Sequence, residues 1–486
     1  MSDGLKNKTL HGLFWSFFER SGQQGIQFII SIILARLLLP EQFGLIAMLT
    51  IFMTIAQLFI DSGFGQALIQ KKDATHIDEC SIFYFNILVG CLAAGLLRLA
   101  APWIAAFYNQ PLLTPLTRVL SFNLIINSFG LIQTTLLIRD IDFKTQMKVS
   151  MIAALLSGII GVTMAYRGFG VWSLVAQSLS INLFRTILLW IFHRWRPSLQ
   201  FSLTSLRTMF AFGSKLLLSG FLDRFFQNIY LLVIGKIFSP AALGFYSRGQ
   251  KLQALTAQNI QSSVSRVTFP IFSSIQEDKS RLKQGVRKAL MTVAMVNFPM
   301  MIGLTVIAKP LVLVLLTDKW LPCVPYLQLL CVVGMLYPLH AINLNVLKAQ
   351  GRSDLFLRLT LIKESLVIVN IVFMCHFGIK ALLYGQIVLS IMSLYINTYF
   401  TGKLIQYSFK EQIGDVLPYL GTALLMGIGI RAIGNIITTN YILLLVVQVL
   451  TGVFLFISFC FVFRLRAFNE VQQILWQKLG KERYCT

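Results

Sequence analysis

Stretches of about 20 apolar residues recur along almost the whole chain, separated by short polar connections. An α-helix of about this length crosses the ~30 Å hydrocarbon core of a bilayer, because it satisfies its backbone hydrogen bonds internally. The pattern predicts an all-α polytopic membrane protein with about fourteen transmembrane helices. The predicted spans lie near residues 13–37, 44–64, 81–107, 116–138, 147–166, 169–193, 209–238, 243–275, 289–317, 326–347, 355–377, 379–400, 415–436 and 441–463.

The composition supports a membrane protein. Of the 486 residues, 56% are hydrophobic and 13% are charged, whereas soluble domains contain about 25% charged residues. The net charge of +23 does not indicate a nucleic-acid partner, because the basic residues form no compact basic domain. The seven cysteines show no metal-ligand spacing. We therefore expect no nucleic-acid partner, no metal and no cofactor.

The distribution of positive charge predicts the orientation of the chain. When the N-terminus is placed in the cytoplasm, most of the 42 lysines and arginines fall on the cytoplasmic side, in every second connection. Basic connections stay cytoplasmic in most membrane proteins. An odd number of spans would break this alternation, so both termini are predicted to be cytoplasmic.

A short turn sequence occurs twice, 200 positions apart. Each copy has a basic residue, three further residues, a proline, two residues, an apolar residue and a glycine. The repeated residues are Arg36, Pro40 and Gly44 in the first copy and Lys236, Pro240 and Gly244 in the second. Proline followed by glycine is an ordinary turn signal, but the complete match indicates an internal repeat.

Both copies of the turn follow a span that begins on the cytoplasmic side, so the two halves are predicted to be parallel repeats. We predict a six-helix N-lobe at 1–200, a six-helix C-lobe at 201–405, and two further helices with a cytoplasmic tail at 406–486. A substrate site is expected at the interface of the lobes, near the bilayer midplane. The prolines and glycines of the repeated turns are candidate gating residues.

Several basic residues lie inside predicted spans, where an unpaired charge costs at least ~2.5 kcal/mol. Some of them could reach the interface or form internal ion pairs. The clear acidic partners, Glu19, Asp223 and Glu364, are too few for all of them, so we predict a water-filled cationic cavity. The basic residues inside spans are Arg20, Arg98, Arg185, Lys215, Arg224, Arg248, Lys251, Arg266 and Lys363.

A cationic cavity would bind an anion, and an arginine side chain matches phosphate oxygens in a bidentate manner. The candidate residues for a phosphate or diphosphate headgroup are Arg20, Lys215, Arg224, Arg248 and Arg266. Three carboxylates, Glu19, Asp61 and Asp223, are candidates for ion coupling. Asp61 could instead cap the turn that follows it, and the other two could simply pair with neighbouring arginines. His340 is expected to be a packing residue.

An enzyme is a weaker interpretation. Asp140 and Asp142 form a DxD pattern of the kind that holds a metal and a nucleotide sugar, but they lie in a short connection without a sugar-nucleotide domain. Charge pairing with neighbouring basic residues accounts for them better. We predict no catalytic residues.

Several segments resemble the polysaccharide transporter family of the multidrug/oligosaccharidyl-lipid/polysaccharide superfamily. These Wzx-type flippases include the colanic acid exporter branch, to which the resemblance is greatest. Residues from the first span to the twelfth carry the resemblance, and the C-terminal residues agree only in hydropathy. The segments are Phe43-Gly44-Leu45, residues 61–72 (DSGFGQALIQKK), residues 269–278 (FPIFSSIQED) and residues 327–334 (LQLLCVVG).

The resemblance implies two six-helix lobes in a V shape plus two accessory helices in the bacterial inner membrane. It also implies a flippase that moves an undecaprenyl-diphosphate-linked oligosaccharide, an O-antigen or exopolysaccharide repeat unit, to the periplasmic leaflet. Polysaccharide polymerase and chain-length proteins are the expected partners. A drug/cation antiporter of the same superfamily is the alternative, although a pocket for cationic drugs would need acidic residues. A glycan polymerase or ligase is a further alternative and should show a large external loop.

Overall fold

The computed structural model describes residues 3–61, 63–71, 73–436 and 440–473. All regular secondary structure in these ranges is helical. The chain separates into two compact units, Met1–Gly244 and Phe245–Thr486. Within the first unit the helices are α1 (Asp3–Leu37), α2 (Pro40–Asp61), α3 (Phe64–Gln70), α4 (His76–Tyr108), α5 (Leu113–Leu120), α6 (Phe122–Arg139), α7 (Phe143–Tyr166), α8 (Val171–Phe192) and α9 (Leu203–Ile237).

Helix α10 (Pro240–Ser274) begins at the end of the first unit and continues into the second. Two short 3-10 helices, Asp318–Cys323 and Cys375–Phe377, precede α13 (Val324–Ala349) and α15 (Ile379–Ile405). The remaining helices of the second unit are α11 (Lys279–Val306), α12 (Ala308–Leu315), α13 (Val324–Ala349), α14 (Ser353–Met374), α15 (Ile379–Ile405), α16 (Phe409–Ile436) and α17 (Tyr441–Val462).

The predicted all-α polytopic membrane fold is confirmed. Fourteen helices in the described ranges have 18 or more residues, and ten segments are long and apolar enough to cross a membrane. The four long helices outside those segments are α1, α9, α10 and α14, which contain charged residues along their length. The number of fourteen crossings therefore stays a prediction.

Two predicted spans consist of two helices each: 116–138 contains α5 and α6, and 289–317 contains α11 and α12. Helix α11 ends at Val306 and α12 begins at Ala308, with Pro310 in its first turn. Proline is tolerated in the first turn of a helix because the amide groups there have no partner inside the helix. The break thus falls where proline can start a new helix.

The repeated turn is present in the structure. Helices α1 and α9 each have 35 residues and end 200 positions apart, and α2 and α10 begin at Pro40 and Pro240. A Cβ atom on Gly44 would overlap the backbone of Pro240, and a Cβ atom on Gly244 would overlap the backbone of Pro40. The two helix starts therefore touch reciprocally, and only glycine fits at the contacts. A gating role for these four residues stays a prediction.

The first unit is held together by closely packed helices. Helix α7 lies against both α1 and α8, and α9 packs on α2, α3 and α4. Gly158 faces the side chain of Ile30, and a Cβ atom on Gly161 would lie 2.9 Å from the Cβ atom of Gln177. These glycines permit close helix packing, as is usual in membrane proteins. The predicted lobe boundaries at residues 200 and 405 stay predictions.

In the second unit, α11 packs against α13 and α16, and α13 packs against α15. The buried core of these helices includes Leu290, Phe298, Ile342 and Tyr419. Apolar side chains on one face of each helix thus form the interior of the bundle.

Candidate functional site

A cavity of about 490 Å³ lies within the first unit, among helices α2, α5, α6, α8 and α9. One part of its surface is apolar and the other is polar. The apolar lining residues are Ile46, Leu49, Met53, Leu58, Leu120 and Leu124. The polar lining residues are Thr50, Thr54, Gln57, Asp61, Asn123, Asn127, Ser178, Asn182 and Arg224.

Helical periodicity brings the polar residues of α2 to the cavity. Thr50, Thr54, Gln57 and Asp61 follow one another at intervals of three or four residues, which places them on one face of the helix. The Thr54 hydroxyl donates to the Thr50 carbonyl over 2.7 Å. The Gln57 amide donates to the Asp61 carboxylate over 3.2 Å. The polar face of α2 is therefore partly satisfied within the helix.

The opposite polar surface consists of amides and hydroxyls on α6 and α8. We call Asn123, Asn127, Ser178 and Asn182 the amide wall. The Asn182 Nδ2 atom donates to Asn123 Oδ1 over 2.9 Å, and the Asn123 Nδ2 atom donates to Ser178 Oγ over 3.0 Å. Hydrogen bonds of this kind join helices in an apolar surrounding. They fix the positions of three of the four residues of the wall.

The cavity contains charges of both signs. Asp61, at the end of α2, and Arg224, on α9, both line it and attract each other electrostatically. Arg185 of α8 interacts with Asp61 and also with Glu19. The structure therefore brings together two predicted site residues of opposite charge, Asp61 and Arg224, in one cavity. Sequence reasoning had not paired them.

Other predicted residues of the first unit lie elsewhere. Glu19 is buried and accepts a hydrogen bond of 3.4 Å from the Ser150 hydroxyl on α7. Asp223 is exposed and accepts a hydrogen bond of 2.8 Å from the Gln227 amide, one turn further along α9. The side chains of Arg20 and Lys215 lie outside the described part of the structure. The roles predicted for these residues stay predictions.

The remaining predicted cations, Arg248 and Arg266, belong to the second unit. The Arg248 side chain is only 6% exposed, and its guanidinium carbon lies 5.3 Å from the centre of the Trp320 ring. A cation above an aromatic face is stabilised, the more so when it is removed from water. Arg266 is exposed on α10.

Two residues that could suggest chemistry have structural partners. The His340 Nε2 atom lies 3.1 Å from the Ser390 hydroxyl, and its Nδ1 atom lies 3.3 Å from the Asn397 amide. The Asp142 carboxylate accepts a hydrogen bond from the Thr145 backbone amide over 3.1 Å and thereby caps α7. His340 is thus held by hydrogen bonds, and the DxD pattern ends in a helix cap where we had expected only charge pairing.

Sequence reasoning missed the amide wall. A signal was present, because Asn123 and Asn127, and likewise Ser178 and Asn182, are four residues apart inside apolar spans. Residues at this spacing share a helix face. The sequence does not show that these two faces meet.

Ionisable residues within membrane helices commonly line substrate or ion pathways. The sequence matches the family described as "Polysaccharide biosynthesis protein" over residues 33–325. The chain belongs to this family, and the resemblance to polysaccharide transporters inferred from the sequence is confirmed.

Relatives with assigned names include the teichuronic acid biosynthesis protein TuaB of Bacillus subtilis, which is 32% identical over 62% of this chain. The lipopolysaccharide biosynthesis protein WzxC of Escherichia coli is 28% identical over 76% of this chain and 75% of its own length. The succinoglycan biosynthesis transport protein ExoT of Rhizobium meliloti is 28% identical over 70% of this chain and 69% of its own length. The match spans 62% of the length of TuaB.

Solved structures share the fold. The lipid II flippase MurJ, in an inward closed conformation, superposes with a TM-score of 0.75 at 12% identity, covering 93% of this chain and 98% of MurJ. An inward-facing multidrug transporter of the MATE family gives a TM-score of 0.62 at 14% identity, covering 81% of this chain and 99% of its own.

Proposed function

We propose that this protein is a flippase that moves an undecaprenyl-diphosphate-linked oligosaccharide across the bacterial inner membrane by alternating access. The observation that carries the proposal is the polar cavity of about 490 Å³ inside a bundle of membrane-spanning helices, in a chain that belongs to a polysaccharide biosynthesis family. A polar headgroup needs polar partners while it crosses hydrocarbon, and such a cavity supplies them.

The names of the relatives support this substrate class. ExoT is named as a transport protein for succinoglycan biosynthesis, and WzxC and TuaB are named for lipopolysaccharide and teichuronic acid biosynthesis. The fold is that of a flippase for another lipid-linked glycan. The transported glycan would be an O-antigen or exopolysaccharide repeat unit. Polysaccharide polymerase and chain-length proteins would be the partners of this protein. Both termini of the chain would be cytoplasmic.

The diphosphate of the substrate requires positive charge. We propose that Arg20, Lys215, Arg224, Arg248 and Arg266 supply it, because arginine binds phosphate oxygens through two parallel hydrogen bonds. Glu19, Asp61 and Asp223 would take part in ion coupling. The hydrogen bond from Gln57 and the electrostatic attraction of Arg224 support such a role for the Asp61 carboxylate, since a change in its charge would alter both interactions.

Drug/cation antiport is the competing function, and the MATE-type fold similarity favours it to some extent. A pocket for a cationic drug needs uncompensated acidic residues. Among its described lining residues, the cavity of the first unit has one carboxylate, that of Asp61, and Arg224 attracts it electrostatically. A membrane polymerase or ligase is the less favoured alternative.

The function is tested in vesicles that contain the purified protein and undecaprenyl-diphosphate-linked oligosaccharide isolated from a producing strain. Periodate added outside oxidises only glycans in the outer leaflet, so the oxidised fraction reports movement between leaflets. We expect the protein to accelerate this movement without changing the mass of the glycan. New glycosidic bonds would indicate an enzyme, and drug–ion exchange without lipid movement would indicate the antiporter.

A matched pair of triple variants tests the role of the cations. Replacement of Arg20, Arg224 and Arg266 by glutamine should abolish movement while the protein remains in the membrane. The control replaces Arg167, Arg194 and Arg464, which are exposed and lie just beyond helix ends. Equal transport by the two variants would contradict the cationic site.

A further inference from the structure

One residue of the amide wall has no structural explanation. Asn127 lines the cavity from α6 and is half-buried, yet its side chain makes no hydrogen bond to any residue in the described ranges. By contrast, Asn123 and Asn182 hydrogen-bond to each other. Helix pairing therefore accounts for Asn123 and Asn182 but not for Asn127, whose half-buried amide is available to a ligand in the cavity.

The wall also has unused acceptor capacity beside Asn127. The Nδ2 atom of Asn182 donates to Asn123 Oδ1 and, over 3.1 Å, to the Ser178 carbonyl, whereas its Oδ1 atom accepts no hydrogen bond within the described part of the chain. The Asn127 amide adds two donors and one acceptor. Donors and acceptors therefore lie side by side on one surface, which suits hydroxyl groups, because each hydroxyl both donates and accepts.

The charge and the shape of the cavity favour an uncharged, amphipathic ligand. Among the described lining residues, Asp61 and Arg224 carry one charge of each sign, which leaves no net positive charge for a diphosphate. Met53 and Leu124 belong to its apolar surface, which matches the C–H faces of a sugar ring. The volume of about 490 Å³ lies within the ~300–1,000 Å³ of sites that enclose small organic molecules.

We propose that the amide wall is a sugar-binding subsite that holds neutral sugar rings of the lipid-linked oligosaccharide. This inference rests on the proposed function, which identifies the ligand as a lipid-linked oligosaccharide. It adds that the first unit binds the sugar part of this ligand. Arg224 lines the same cavity, and the diphosphate that follows the first sugar would pair with it. The specificity of the protein for its glycan would then depend on Asn127 and Asn182.

The test compares three variants in detergent: Asn127→Leu, which removes the amide, Asn127→Gln, which retains it, and Leu155→Ala, which alters an exposed apolar position on α7 that does not line the cavity. Two probes are titrated into each variant: the repeat-unit oligosaccharide released from its lipid by mild acid, and undecaprenyl diphosphate without sugar. Thermal unfolding of each variant is recorded first; all three variants should fold, because Asn127 has no hydrogen-bond partner to lose among the described residues.

We expect Asn127→Leu to bind the free oligosaccharide about five- to thirtyfold more weakly, which corresponds to the loss of one or two neutral hydrogen bonds. Its binding of undecaprenyl diphosphate should not change. Asn127→Gln, which keeps the amide, should bind the oligosaccharide more tightly than Asn127→Leu. Leu155→Ala should bind both probes within about twofold of the wild-type protein, a difference of ~0.4 kcal/mol.

The proposal of a sugar subsite would be overturned if Asn127→Leu weakened the binding of both probes equally. It would also be overturned if Asn127→Leu did not weaken the binding of the oligosaccharide. Failure of the wild-type protein to move the lipid-linked oligosaccharide in vesicles would instead overturn the proposed function. The two failures are distinguishable, because the first is seen in a protein that still transports.

Discussion

The contact between the two repeated turns predicts a strong effect of a very small change. Gly44 is buried near the start of α2, and a Cβ atom there would lie 2.6 Å from the Pro240 carbonyl carbon and closer still to its oxygen. A backbone carbonyl at the start of a helix cannot rotate away as a flexible side chain can. Gly44→Ala must therefore push α2 and the start of α10 apart.

The magnitude follows from two opposing terms. Overpacking by one methyl group costs up to ~3 kcal/mol, and replacement of glycine by alanine inside a helix returns ~1 kcal/mol. The net destabilisation is about 2 kcal/mol. For a unit that ends at Gly244, each kcal/mol lowers the unfolding midpoint by about 2–4 °C, so we expect a decrease of about 4–8 °C.

The assay is thermal unfolding in detergent, followed by tryptophan fluorescence. The matched control is Gly95→Ala in α4, where a Cβ atom would have no neighbour within 4 Å. That variant should unfold at the wild-type temperature or up to ~4 °C above it. Equal midpoints for Gly44→Ala and Gly95→Ala would refute the reciprocal contact and the structural meaning of the repeat.

Three further predictions concern connections outside the cavity. Thr75 caps α4, so Thr75→Ala should lower the free energy of unfolding by ~1 kcal/mol; Thr75→Ser should restore it, and an unchanged midpoint for the alanine variant would contradict the cap. The Tyr407 hydroxyl donates to Asp415 over 2.7 Å, so Tyr407→Phe should cost ~1.5–3 kcal/mol; a loss below ~0.5 kcal/mol in denaturant titration would argue against that bond. Burial lowers the pKa of His193 below 6.5, and its Nδ1 atom accepts a hydrogen bond of 3.3 Å from the Trp195 amide, so its neutral form favours the folded state. The free energy of unfolding should therefore have its full value above pH 6.5 and decline as the pH falls through the lowered pKa. His193→Gln should remove this decline from the pH dependence of the free energy of unfolding. An unchanged pH dependence in that variant would contradict the assignment.

The helices were predictable because their signals are local. A run of apolar residues between polar connections indicates a span, and proline marks the first residue of α2 and of α10 at the same place in both copies of the repeat. The break after Val306 was not predicted, because the apolar run continues through it. Hydropathy indicates that a segment lies in an apolar surrounding, but it does not show whether the segment is one continuous helix.

The cavity was not predictable from the sequence, because it depends on which helix faces meet. Asp61 and Arg224 were both recognised as candidates, yet they are 163 positions apart in the sequence, and nothing in the sequence pairs them. The surplus of basic residues predicted an anion as the ligand. The amides at Asn127 and Asn182 carry no charge, so counting charged residues could not identify them. Tertiary packing alone shows that they share a surface.

The central claim, that the substrate headgroup enters the cavity of the first unit, is tested most directly by accessibility of a single cysteine. Thr54→Cys introduces a thiol at the cavity surface, and Leu155→Cys introduces one at an exposed apolar position on α7. Both are treated in vesicles with a membrane-impermeant maleimide, with the wild-type protein as the blank. We predict that Thr54→Cys reacts, that the lipid-linked oligosaccharide slows this reaction, and that Leu155→Cys stays unreactive. Reaction of Thr54→Cys no faster than that of Leu155→Cys, or at a rate that the substrate does not change, would contradict the account.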